Sequence, residues 1–446
     1  MAPQMPSARD EQKPEQPTHP PPQTSGLNPL IRIAPAGFAI GLIDIHSRAL
    51  SITSTEDEDP QSILTTFLPF LLGSILTATL LSTTPVPLHP KYTRQYPLAI
   101  QIVRTAFCVW LGLLLFLPPS GWLWALSQSV PGMAMMAFLS GFSNAYLLAV
   151  ESVRCEGSPG KLGLLYGGVA LYAVAAAGLD TGLGERECLP WWWKVMGLIA
   201  AAGHVLYLFW GSWMSEETDK RKGGEGKSLE KARAVQLPHD DSIPPPASRA
   251  IVLGGLFAFT YHAVVVAIPS SLNVSSPPDT TDRFSLAFLG ESVAIALVIG
   301  RFVILLGDEE VRQPWEYVLV MLTAQTATLM LPGWVFANAV GKWNVPIAII
   351  CAERLLGPAY PWAMSVLLRR MEEREKLSGM AIIIAFANAG AVAGLFVIKL
   401  NVSFGAPGVL RFVVAVLSFT MYRCWETLGE AEQNATQASS IEKQGI

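Results

Sequence analysis

From residue 30 to residue 424 the chain is a procession of long apolar segments separated by short loops, and that pattern restricts the fold before any motif is consulted. Segments such as 162–179, 290–306 and 380–400 run for 17–21 residues, which matches the ~20 residues a helix needs to cross a ~30 Å hydrocarbon core. A soluble chain of 446 residues would carry charge along its helix faces. Here charged residues are only 15%, hydrophobic residues 51%, and mean hydropathy is +0.38. In lipid every backbone polar group needs an internal partner, and a helix supplies one within the segment. The chain reads as an all-α polytopic membrane protein.

Eleven spans are clear: 63–81, 98–117, 133–150, 162–179, 193–213, 251–269, 284–306, 317–336, 345–368, 380–400 and 409–424. A twelfth, 31–52, carries Asp44, His46 and Arg48 and is a poor span by itself. If it crosses, about 12 (11–12) transmembrane helices fall into two six-helix halves, 29–214 and 249–425. Between them lies 215–248, with Lys220, Arg221, Lys222, Lys227, Lys231 and Arg233 followed by Pro244–Pro246. Such a charged, Pro/Gly-rich stretch reads as a solvated linker. Residues 1–28 and 426–446 read as polar, disordered cytosolic ends.

Lys and Arg in the short loops set the orientation. Lys91, Arg94, Arg154, Lys161, the linker, Arg312 and the 369–376 cluster share one side. The other side has an acidic loop at 51–60 and isolated bases, namely Arg186, Lys194, Arg283, Lys342 and Lys399. The basic side is therefore cytosolic and both termini lie there. The sequons at Asn273 and Asn401 then fall on the luminal side as glycosylation candidates, and Asn434 does not. Trp122, Trp124 and Trp191–Trp193 sit at luminal span ends, where indole rings favour the headgroup region.

Several classes are disfavoured. The first residues lack a basic region followed by an apolar one, so no cleavable signal is expected. The five cysteines form no CxxC or zinc-spaced cluster, and no metal or cofactor is expected. The net charge is −4 and the bases flank membrane segments, which argues against nucleic acid. No P-loop is present to power transport by ATP. The expected partners are the lipid bilayer and a small-molecule or ion substrate.

A shift of 216 residues superposes the fourth and fifth spans on the tenth and eleventh. Gly141 meets Gly357, Arg154 meets Arg370, Glu156 meets Glu372, Gly163 meets Gly379 and Gly178 meets Gly394. Shared Arg and Glu in the intervening cytosolic loop point to an internal duplication, the arrangement of major-facilitator-type transporters. Composition together with the positive-inside bias is the competing explanation. Gly163-xxx-Gly167 and Gly390-xxx-Gly394 suit close helix approach.

An ionisable group near the bilayer centre costs ~2.5–3.5 kcal/mol, so it faces a cavity or a partner. Glu291 lies a third of the way into its span, and Glu353 and Arg354 lie in mid-span, followed by Pro358 and Pro361. Arg104, His204 and His262 are further candidates, while Asn144 and Asn388 suit hydrogen bonds between helices. Neighbouring residues on a helix point ~100° apart, so Glu353 and Arg354 are not expected to pair with each other. Glu353 either couples transport or pairs with an Arg on another helix, and His262 is either an interior histidine or part of a proton relay.

The segment Ile349-Ile350-Cys351-Ala352-Glu353-Arg354-Leu355-Leu356-Gly357, with Tyr360 behind it, resembles a segment of the battenin family of lysosomal and vacuolar membrane proteins. Arg374-Glu375 and the following small-residue span with Gly390 and Gly394 resemble that family's Arg-Glu loop and helix, and 286–302, with Arg301 near its end, resembles a further segment. Pro358 stands where the family has a second Gly, and Gly41-Leu42-Ile43-Asp44 where it has paired Asn. The resemblance covers about 50–70 of 446 residues. It implies a major-facilitator-like fold and a vacuolar protein affecting luminal pH or basic amino-acid balance.

The expected function is secondary transport of a small solute by alternating access, possible proton linkage included, with Glu291, Glu353 and Arg354 lining or gating a central cavity. The rivals are a membrane-embedded enzyme of acyltransferase or terpene-cyclase type and a non-transporting scaffold. Against an enzyme stand the lack of a His–Asp pair and of Asp-rich diphosphate-binding motifs.

Overall fold

The computed structural model describes Gly37 and residues 60–83, 130–155, 157–182, 246–275, 295–302, 344–372, 375–404, 413 and 416–427. In chain order the helices are α1 (Pro60–Thr83), α2 (Val130–Arg154), α3 (Pro159–Gly182), α4 (Pro246–Ser275), α5 (295–302), α6 (Asn344–Arg370), α7 (Lys376–Phe404) and α8 (416–427). The six longest have 24–30 residues, or about 36–45 Å at ~1.5 Å per residue, enough to cross a bilayer. Arg249–Ala267 and Lys376–Gly394 are apolar enough to span by composition alone, and Phe67–Thr83 is a shorter apolar stretch.

Helix starts follow local chemistry. α1, α3 and α4 begin at Pro60, Pro159 and Pro246, where the missing N–H costs nothing and the fixed φ is already helical. Ser158 caps α3, its Oγ accepting from the Lys161 amide at 3.5 Å. Between α2 and α3 the backbone turns through Gly157 at φ 68°, a left-handed conformation that a β-carbon penalises.

The bundle core is apolar, and apolar side chains also cover the outer face of the helices, which the outside of a soluble bundle would not show. On α1, Leu68, Leu72, Ile75, Leu76 and Leu80 are exposed, whereas Ser74 and Thr77 are buried. The Ser74 hydroxyl lies 3.2 Å from the Gly141 carbonyl and the Thr77 hydroxyl 2.9 Å from the Phe142 carbonyl, so α1 donates to α2 twice. Lipid provides no hydrophobic drive for helices to associate, so close packing and such bonds hold the bundle.

Small residues set the crossings. A β-carbon at Gly141 would lie 1.9 Å from the Phe70 carbonyl oxygen, and one at Gly357 would lie 2.7 Å from Gly300 Cα. Gly141 thus seats α2 on α1, and Gly357 seats α6 on α5. These two glycines are the pair that the 216-residue shift superposes, and each makes the tight crossing of its own helix pair. Gly390 of α7 meets the Phe259 carbonyl of α4 in the same way, at 2.0 Å.

α7 packs along α4 and also reaches α1 and α2, while α6 reaches α4 and α3. Helices on either side of the linker therefore interlock. Asn388 of α7 donates to Ser74 Oγ of α1 at 2.9 Å, as its expected interhelical role requires. Asn144 is buried, and its Oδ1 has no hydrogen-bond partner.

The apolar spans centred on 251–269 and 380–400 lie inside α4 and α7, which run on to Ser275 and Phe404. Asn273 and Asn401 therefore lie in the last turns of those helices. The apolar window reports the lipid-embedded part of a helix, and the hydrogen-bonded turns continue past it.

Candidate functional site

α3, α4, α5 and α6 bring four aromatic rings and one cation together. Tyr166 of α3 meets Tyr360 of α6 edge to face at 4.8 Å between centroids. Tyr261 of α4 stacks on Tyr360 at 4.9 Å, and His262 meets the Tyr360 edge at 4.8 Å. These are separations at which aromatic pairs attract beyond their area burial. Phe257 and Trp425 extend the cluster, 5.3 Å apart.

The polar atoms of this cluster are aimed. Tyr261 donates to the Leu356 carbonyl at 3.1 Å. Pro358 and Pro361 lie in the same stretch of α6, and neither has an N–H to offer the carbonyls of residues 354 and 357. The Tyr166 hydroxyl shares a 2.8 Å hydrogen bond with Ser152 of α2. His262 Nδ1 lies 3.0 Å from the Ala258 carbonyl. A carbonyl only accepts, so Nδ1 carries a proton, and a neutral ring has Nε2 as its acceptor.

Arg301 of α5 supplies the charge. Its side chain is 6% exposed, and Nη1 donates to the Tyr166 backbone carbonyl at 2.7 Å. Nε is buried with no hydrogen-bond partner. Gly167 allows this approach, since a β-carbon there would lie 2.8 Å from the Phe302 ring.

Counting ~1.5 Å per residue from the helix ends on the basic side, Tyr166, Tyr360 and Tyr261 lie about 10, 15 and 22 Å deep. The cluster therefore lies along the helix shafts rather than at their ends. On the basic side itself, the Gly157 carbonyl accepts from Ser365 Oγ and, at 3.1 Å, from Arg369 Nε of α6. Glu151 nearby pairs with Arg154 at 2.6 Å. Among the described residues no group of three or more His, Cys, Asp or Glu is gathered that could hold a metal.

Of the candidates named from sequence, His262 belongs to this cluster. Arg354 is exposed, and by helical period it lies on a different face of α6 from Tyr360. Position 353 shares the stripe of Leu356 and Tyr360 by that period, while the Glu353 side chain lies outside the described residues. Glu291, Arg104 and His204 also lie outside them. Tyr166 was not selected from sequence, and Tyr360 and Arg301 were reached only through a family resemblance. The available signal was the rule already applied to Glu291, because Arg301 is an ionisable residue within the same apolar stretch.

No protein-family model matches this sequence, and no curated protein matches it. Solved structures do match over nearly the whole chain. A bacterial homologue of the iron transporter ferroportin, in its outward-facing state, aligns with TM-score 0.62 and 12% identity over 91% of this chain and 99% of that one. The major facilitator superfamily transporter FucP, in the outward conformation, aligns with TM-score 0.58 and 14% identity over 90% and 98%. The human organic anion transporter MFSD10 aligns with TM-score 0.56 and 12% identity over 89% and 99%. At these identities the likeness establishes architecture: the chain is an all-α, multi-pass membrane protein of major-facilitator-like fold.

Proposed function

We propose that this protein is a secondary transporter that moves a small solute by alternating access between two six-helix halves, 29–214 and 249–425. The observation that carries the reading is the buried cluster itself. Tyr166 precedes the linker, whereas Arg301, Tyr360, Tyr261 and His262 follow it, so polar groups from both sides meet inside the membrane. Buried polar groups at such a junction can be exposed to either face by rocking one half against the other.

The neighbours in fold include a fucose:proton symporter, an organic anion transporter and a homologue of an iron transporter. Transport is common to these, and the solute is not. A vacuolar or other endomembrane location, with proton linkage through Glu353, is supported by the battenin-like segment around that residue. Plasma membrane is the competing location.

Uptake into proteoliposomes tests the proposal. Purified protein should mediate saturable accumulation of at least one solute from a chemically varied panel under an imposed pH gradient, and Tyr360→Ala should abolish it. A folded, correctly inserted protein that carries nothing from sugars, amino acids, carboxylates, amines or metal ions would favour the scaffold reading.

A further inference from the structure

We propose that Arg301 anchors the anionic end of the transported solute, a small carboxylate whose apolar or aromatic body rests among Tyr166, Tyr360 and Tyr261. This assignment rests on the transporter reading above and adds the charge and shape of the solute.

Among the described residues Arg301 is an ion without a counter-ion. A guanidinium stays protonated in proteins and carries five N–H donors. Arg301 is 6% exposed and spends one donor on a backbone carbonyl, which bears no net charge. Its Nε is buried without an acceptor, and no ion pair of Arg301 with a carboxylate is found among the described residues. A charge buried inside the membrane is retained where a partner or a substrate compensates it. A purely structural arginine would have its donors satisfied, because a half-satisfied buried network is worse than an apolar one.

The geometry selects the kind of anion. With Nη1 held by the Tyr166 carbonyl, the Nε edge is the side left to receive a ligand, and that edge presents the planar fork that carboxylates bind bidentately. A monocarboxylate brings one negative charge to one arginine. A cation is repelled, and a neutral sugar leaves the charge uncompensated. Tyr166, whose carbonyl holds Nη1, packs its ring on Tyr360 and through it on Tyr261, so aromatic side chains adjoin the anchor point of the guanidinium.

Three near-isosteric probes test this on the full-length protein in nanodiscs: benzoate, benzamide and benzylammonium, with inorganic phosphate as a fourth. Binding is read by calorimetry and by the thermal midpoint. Benzoate should bind saturably and raise the midpoint, whereas benzamide, benzylammonium and phosphate should not. Arg301→Gln should weaken benzoate by at least about tenfold, the scale of one lost charge-assisted contact. If Arg301→Gln does not fold, Arg301→Lys keeps the charge, loses the fork and should still weaken benzoate. Equal binding of the neutral or cationic probe, phosphate in preference to benzoate, no response to any anion, or full benzoate affinity in Arg301→Lys would each overturn the assignment. Benzoate binding with no carboxylate flux in proteoliposomes would instead sink the transport reading and leave the anion site standing.

Discussion

Gly141→Ala tests the packing on which the site depends. A β-carbon at position 141 lands 1.9 Å from the Phe70 carbonyl oxygen and 3.0 Å from Phe70 Cα. That is roughly 1.4 Å inside the ~3.3 Å at which a carbon and a carbonyl oxygen touch, and the obstruction is backbone with no rotamer to change. α1 and α2 must separate, and overpacking of this kind costs about 1–3 kcal/mol. Separation also stretches the Ser74–Gly141 and Thr77–Phe142 hydrogen bonds, each worth ~0.6 kcal/mol inside a membrane. Alanine's better helix propensity offsets about 1 kcal/mol of this. The net loss is about 1–3 kcal/mol.

Gly254→Ala is the matched control. Its β-carbon would lie 2.7 Å from Leu367 Cδ1, the end of a flexible side chain that can rotate away. Propensity then roughly cancels the crowding, and stability should stay within about 1 kcal/mol of the parent. Denaturant unfolding of both variants in detergent, followed by tryptophan fluorescence, measures the contrast. If Gly254→Ala proves the more damaging, or the two are equal, the backbone crossing of α1 and α2 is misassigned.

Three further outcomes are expected. Gly157→Ala places a β-carbon at φ 68°, 3.0 Å from Arg369 Cγ. It should loosen the basic-side contact and speed maleimide labelling of the buried Cys155 in a chain whose other cysteines are serine, and unchanged labelling would show that this contact does not close that side. Glu353→Gln should preserve folding and remove the pH dependence of transport. Misfolding rescued by removing an Arg partner would make the residue structural instead, since breaking a buried pair costs roughly 3–5 kcal/mol. Epitope tags at residues 2 and 446 should both be digested by protease added to sealed microsomes, and protection of only one would mean an odd number of spans.

Hydropathy located the helices because lipid forces each crossing segment to satisfy its own backbone, and that requirement writes itself into composition. The spans read at 63–81 and 133–150 lie inside Pro60–Thr83 and Val130–Arg154. The ends were less legible, since hydropathy stops at the lipid while α4 and α7 run on to Ser275 and Phe404. The glycine pair 141 and 357 was visible as a repeat, and its role at two equivalent crossings is a property of the fold. The cluster was mostly invisible. Tyr166 and Tyr360 are 194 positions apart, and a tyrosine within an apolar run leaves no local mark that separates a cavity wall from a lipid-facing ring. His262 was found because a histidine in a membrane segment is rare enough to draw notice, while Arg301 lay close enough to its span end to pass for an interfacial anchor.

Alternating access is most directly tested by a distance measurement across the basic side. Spin labels at Ser158, in the turn between α2 and α3, and at Glu372, just beyond α6, report the gap that the Gly157 carbonyl bridges with Ser365 and Arg369. In lipid nanodiscs, double electron–electron resonance should resolve two populations. One has the short separation of this structure and the other a clearly longer one, with a balance that shifts when a transported solute is added. A single short population that no solute or pH alters would contradict the account.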